Sequence, residues 1–145
     1  MEINIFNETN YDINLRYYKY FLYCSSKIAK IDGYINLVFS DNKYIKCLNN
    51  DFRNKNKETD VLTFPMGDIN EGGDIVISYE WVVNRYKEDK IRITVLKLII
   101  HSILHLKGIH HNYTKESLMK NNDRMKKLYY KVIKYIKSNR KLKNI

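Results

Sequence analysis

The segment from Ile91 to Lys107 constrains this chain more than any other. Val95, Leu96, Leu98, Ile99, Ile100, Ile103 and Leu104 put apolar side chains on nearly every side of a helix. A helix that is apolar all round has to be surrounded by protein. It is therefore expected at the centre of the fold, with other elements packed around it.

Those other elements are legible as alternating or β-branched runs and as helical stripes. Ile3 to Phe6 alternates and predicts a strand. Leu15, Tyr18, Phe21, Leu22 and Ile28 fall near helical spacing and predict a helix from about Leu15 to Lys30. Gly33 breaks the chain before Tyr34 to Phe39, a strand rich in β-branched and aromatic residues. Ser40 or Asp41 can cap a short helix carrying Tyr44, Ile45 and Leu48, after which Asn49 to Thr59 is polar. Asp60 to Pro65 is a strand stopped by the chain's one proline, Gly67 to Gly73 a turn, and Asp74 to Ser78 a further strand. Ser78 can cap a helix beginning near Tyr79, and Thr114 to Ser138 predicts a last amphipathic helix. Strands and helices so mixed imply an α/β (α+β) fold: a single four-stranded sheet packed by about four to six helices, with the apolar helix in its core.

At 145 residues, 44% hydrophobic and 29% charged, the chain is expected to form one domain over residues 1–145. It has no apolar run of roughly 18 residues, so no membrane span is expected. Met1-Glu2-Ile3-Asn4 places no basic segment before an apolar run, so no signal peptide is expected, which points to the cytoplasm. Cys24 and Cys47 stand alone and are expected as free thiols. The net charge of +10 suits a polyanionic partner such as RNA, but Lys, Asn, Ile and Tyr bias gives the same charge without one.

All four histidines lie between His101 and His111. His101 and His105 are one helical turn apart and share a face, the spacing at which two imidazoles reach one ion. Gly108 can end the helix with positive φ and let the chain return His110 or His111 to the same ion. Adjacent residues rarely both ligate, and the spacing H-x-x-x-H-x-x-G-x-x-H selects His111. Three protein ligands with an open position describe a catalytic zinc site more than a structural one. The same spacing occurs in metzincin proteases, which carry Glu after the first His; here that position is Ser102, a poor base. The cage is present and the protease base is missing.

His101 to His111 reads HSILHLKGIHH and resembles the YbeY family's H-G-x-L-H-L-x-G-Y-D-H. Two more blocks follow the family's order. Leu48-Asn49-Asn50-Asp51-Phe52-Arg53 and Glu58 to Pro65 resemble L-N-x-x-x-R and P-T-D-V-L-S-F-P; Gly73 to Ser78 resembles G-D-I-x-I-S. Departures are Ser102 for Gly, Ile109-His110 for Tyr-Asp, and Glu58 for Pro. His110 in place of the acid removes a carboxylate that would orient a ligand or water, or adds a competing ligand.

The resemblance implies a zincin-like metal helix, one Zn2+ per chain on His101, His105 and His111, and a functionally required Arg53. It implies a zinc-dependent, single-strand-specific endoribonuclease of ribosomal RNA maturation (small-subunit 3′-end processing) and ribosome quality control. Its partners would be ribosomal or single-stranded RNA and small-subunit ribosomal proteins. Independently, a guanidinium fork suits a phosphodiester, although Arg53 could equally be a surface arginine paired with Asp51 or Glu58. Thr59 and Asp60 could edge a cleft or simply start a strand. Tyr17, Tyr18, Tyr20 and Tyr23 could stack bases or divide between core and surface. Lys115, Lys120, Lys126, Lys127, Lys131 and Lys134, with Lys137, Arg140, Lys141 and Lys143, could track phosphates or be a solvated face. Two other classes fit the cage: a metallohydrolase of another substrate, protease-like, and a non-enzymatic ribosome-assembly factor with a structural metal.

Overall fold

The computed structural model describes residues 1–109 and 114–139. Its elements are β1 (Glu2–Asn7), α1 (Leu15–Ile28), β2 (Tyr34–Ser40), α2 (Asn42–Arg53), β3 (Val61–Pro65), β4 (Gly72–Ser78), α3 (Tyr79–Arg85), α4 (Glu88–Leu106) and α5 (Lys115–Ser138). One four-stranded sheet has the order β1-β2-β4-β3. β1 and β4 flank β2 in parallel, while β3 pairs antiparallel with β4 and forms an edge. The α+β expectation holds, with five helices on a mixed sheet.

Period-two alternation divides the sheet into two faces. Ile3, Ile35, Leu37, Phe39, Ile75 and Ile77 point into the main core, against Phe21 and Leu22 of α1 and Val95, Ile99, Ile100 and Ile103 of α4. Val132 of α5 joins the same core. Leu62 and Val76 point to the opposite face, where Ile45 of α2 covers them in a smaller cluster edged by Val38, Leu48 and Phe64. As the composition of α4 requires, the sheet, α1 and α5 surround it.

The expected starts are borne out by their caps. Asp41 accepts from Tyr44 N at the head of α2, Ser78 from Trp81 N at α3, and Thr114 from Ser117 N at α5. Several boundaries differ from expectation: β4 begins at Gly72, inside the expected turn, α1 ends at Ile28, and two further helix ends shift. α4 begins at Glu88, because Glu88 and Asp89 favour the positive end of a helix dipole. α2 continues through the polar stretch to Arg53, because buried Asn49 extends its inner face and Asn54, at φ 54°, supplies the left-handed stop. Cys24 is buried, Cys47 is exposed, and both are free thiols. Among the described residues no helix is long and apolar enough to cross a membrane.

Candidate metal and phosphate site

The core of the site is one turn of α4. Surrounding apolar residues bury the helix, while His101 and His105 emerge half-buried on a shared stripe. Their Nε2 atoms lie 3.0 Å apart, with ring centroids 4.5 Å apart and the planes at 58°. Two Nε2 atoms this close must share something, either one proton or one cation. Nitrogens about 2.0–2.1 Å from a tetrahedral zinc lie roughly 3.3–3.4 Å from each other. The observed separation differs by a few tenths of an ångström, within the reach of small ring rotations. The pair therefore fits two adjacent positions of a zinc site.

The end of α4 is set by its own hydrogen bonds. Gly108 has φ +75°, and its N–H donates to the His105 carbonyl at 2.9 Å. Ile109 N–H donates to the Leu104 carbonyl at 3.0 Å. This 6→1 and 5→2 pair is a Schellman ending, which stops the helix and turns the chain at Gly108. The β3–β4 turn packs on this ending. Lys107 Nζ donates to Asn70 Oδ1, and a Cβ on Gly108 would lie 3.3 Å from Ile69 Cγ2. Gly73, at φ +151°, leaves the room required: a Cβ there would meet Phe64 O at 2.2 Å and Leu106 Cδ2 at 3.0 Å. The glycine of the third motif thus admits the helix end that carries His105.

The third expected ligand, His111, and its neighbour His110 lie outside the described residues. Among the described residues no third His, Cys, Asp or Glu joins the pair to form a metal-holding group. Ser102 is buried and donates its hydroxyl to the Leu98 carbonyl at 2.9 Å. A hydroxyl committed to helix backbone does not replace the glutamate base of a protease.

Arg53 ends α2 and is exposed. Its Nη2 donates to the Thr63 carbonyl of edge strand β3 at 3.2 Å. The alternative of an ion pair with Asp51 or Glu58 is not seen; among the described residues the ion pair is Lys120–Glu116, 3.3 Å apart. Thr63 is 7% exposed and shares the sheet face of Ile75, its register partner and a residue of the main core. Arg53 therefore docks on the strand that packs against α4, and its remaining N–H donors are not fixed by that one bond.

Sequence reasoning gave no role to the residue that fixes the loop following Arg53. Asn49 is buried on the inner stripe of α2 and donates to the Lys57 carbonyl at 3.1 Å. Its own carbonyl accepts from Asn54 at the cap of α2 and from Lys55 N–H. It ties the loop after α2 back to the helix, so the chain re-enters the sheet beside Arg53. A polar residue on the stripe of Ile45 and Leu48 was the available signal. At the other end of α2, Ser78 Oγ and Asn42 Oδ1 lie 2.7 Å apart, and Glu80 accepts from Asn42 N–H.

The remaining candidates divide as follows. Asp60 caps its own strand, accepting from Val61 N–H at 2.7 Å and from Thr59 Oγ1 at 3.3 Å, which is the strand-start role. Tyr18 is buried, Tyr17 and Tyr20 are half-buried against the core, and Tyr23 is exposed. Lys115, Lys120, Lys126, Lys127, Lys131 and Lys134 are all exposed along α5. Lys137 is exposed too, while Arg140, Lys141 and Lys143 lie outside the described residues.

A mixed sheet under a central helix with two converging imidazoles, and an arginine held on the neighbouring edge strand, define an α+β protein with a paired-imidazole site. Residues 6–143 match the family described as Endoribonuclease YbeY. The endoribonuclease YbeY of Pelagibacter ubique is 44% identical over 109 residues, 69% of each chain. That of Borreliella afzelii is 33% identical over 118 residues, covering 71% of this chain and 78% of its own. The solution structure of TM1509 from Thermotoga maritima superposes with a TM-score of 0.66 at 29% identity, covering 94% of this chain and 93% of that one. The chain belongs to the endoribonuclease YbeY family.

Proposed function

We propose that this chain is a zinc-dependent, single-strand-specific endoribonuclease of the cytoplasm, acting in ribosomal RNA maturation at the small-subunit 3′ end and in ribosome quality control. The observation that carries the reading is the 3.0 Å approach of two imidazole nitrogens on the central helix of a chain in this family. The relatives' name states an RNA substrate and an internal cut. A net charge of +10 and the exposed lysines of α5 suit the polyanion.

His101, His105 and, as proposed third ligand, His111 would hold one Zn2+ and leave a position open. Zinc bound there supplies Lewis-acid polarisation of a phosphate oxygen and eases deprotonation of an attacking oxygen. Arg53 presents a guanidinium fork whose charge is permanent, and it neutralises negative charge that grows on the phosphate in the transition state. The Thr63 carbonyl restrains that fork, so less side-chain freedom is lost when a phosphate arrives. Small-subunit ribosomal proteins are the proposed protein partners.

The test is cleavage of a short single-stranded RNA by the full chain, with and without chelator, beside His105→Ala. Loss of cleavage in both, with zinc restoring only the wild type, is expected. Equal cleavage by all three preparations refutes the enzyme. Robust peptide hydrolysis by the wild type would move the chain to the protease class. An apoprotein that binds ribosomal RNA normally, with no cleavage when zinc-loaded, would make it an assembly factor.

A further inference from the structure

Phe52 is the most conspicuous side chain that the proposed site leaves unused. It precedes Arg53 at the end of α2 and is 68% exposed. Its ring meets that of Phe64 on β3, with centroids 5.4 Å apart and planes at 65°. The two pairs interlock in step: Phe52 lies on Phe64, while Arg53 lies on the preceding residue, Thr63. An edge-to-face contact occupies little of the Phe52 ring, and so much exposed apolar surface is costly to leave in water. Met66, just past the end of β3, is half exposed as well.

We infer that Phe52, backed by Phe64, is a stacking platform for one nucleobase of single-stranded RNA whose adjoining phosphate lies at Arg53. The inference rests on the proposed RNA substrate and adds a subsite to it. Three features select a nucleobase over an apolar protein segment. The ring adjoins a permanent cation, the chain carries a net charge of +10, and the surface is an aromatic ring rather than an aliphatic groove. Stacking also tolerates any base, as a platform reading single strands without strict sequence requires. Phe52 touches the base and not the reacting atoms, so it is a positioning residue.

The experiment is equilibrium binding of a short single-stranded RNA containing 2-aminopurine to the full chain, comparing wild type with Phe52→Leu and Phe52→Trp. Circular dichroism and urea unfolding confirm that each variant is folded. The leucine keeps apolar volume and removes the π-face; the tryptophan enlarges it. Expected are quenching of 2-aminopurine by the wild type and loss of that quenching with roughly 5- to 150-fold weaker binding in Phe52→Leu. Phe52→Trp should retain both, and with active protein the Phe52→Leu defect should appear in KM more than in kcat. Leucine binding and quenching like the wild type overturns the platform even if the protein is an active zinc nuclease. Quenching that depends on Phe52 supports the platform even if cleavage proves independent of metal. Wild-type RNA binding by Phe52→Leu together with loss of a protein partner would reassign the patch to protein docking.

Discussion

Arg53 Nη2 holds the Thr63 carbonyl at 3.2 Å across the free edge of the sheet. The two are ten positions apart along the chain. The contact takes one outward-facing carbonyl of an edge strand out of play and restrains a cation beside the strand that packs on the histidine helix. Edge strands expose unpaired backbone groups, and β3 blunts its edge further with Pro65 and with Asp60 capping Val61 N–H.

Arg53→Ala is expected to lower kcat/KM for single-stranded RNA by about 10²–10³-fold, the range for loss of one charge-stabilising donor group. The fold should lose no more than about 1 kcal/mol, since the contact is partly exposed. Arg53→Lys keeps the charge without the fork and should recover only part of the rate. Steady-state kinetics with urea unfolding separate the two effects.

His101→Ala and His105→Ala should each reduce bound zinc from about one ion per chain to well below that, read by elemental analysis. Both imidazoles are half-buried on the surface side of α4, so unfolding free energies in the metal-free state should move by about 1 kcal/mol or less. His111→Ala should match them and His110→Ala should retain zinc; the reverse result would exchange the third ligand.

Asn49→Ala leaves the Lys57 carbonyl without its buried donor. A cost of about 0.5–1.5 kcal/mol is expected in chemical denaturation. The loop that places β3 beside Arg53 loosens at the same time. RNA cleavage should fall under conditions where the protein is still fully folded, an effect that a purely structural asparagine would not produce.

Gly73→Ala forces a Cβ to within 2.2 Å of the Phe64 carbonyl oxygen at positive φ. Backbone cannot yield as a flexible side chain does, so a loss of roughly 2–3 kcal/mol is expected in thermal or urea melts. Because Leu106 bounds the same space, zinc affinity should weaken along with stability.

Burial lifts the phenols of Tyr18 and Tyr20 from the usual 10 to about 12, with Tyr79 adding to the rise at Tyr18 and the Cys24 thiol at Tyr20. Between those two pH values the unfolded chain has released protons that the folded chain still holds, so stability falls as pH rises. Their contribution is complete below about pH 10 and disappears above about pH 12. The urea midpoint should therefore drop above pH 10. The Tyr20 hydroxyl is buried and, apart from the weak pull of the Cys24 thiol beside it, has no hydrogen-bond partner among the described residues. Tyr20→Phe removes it, and a gain of about 1 kcal/mol at neutral pH with a shallower alkaline slope is expected.

Local chemistry was enough to read the ordered elements and the imidazole pair on α4. Capping by Asp41, Ser78 and Thr114 acts within one turn, and apolar periodicity reports burial directly. The i, i+4 spacing of His101 and His105 and the stop at Gly108 belong to one helix, so the sequence by itself determined them. Tertiary structure alone decided the strand order β1-β2-β4-β3, and with it the free edge that receives Arg53 and Phe52. Those contacts join residues far apart along the chain, where no period links one partner to the other. Asn49 shows the same division: its polarity on an apolar stripe was visible, but its task depended on where the loop to β3 returned.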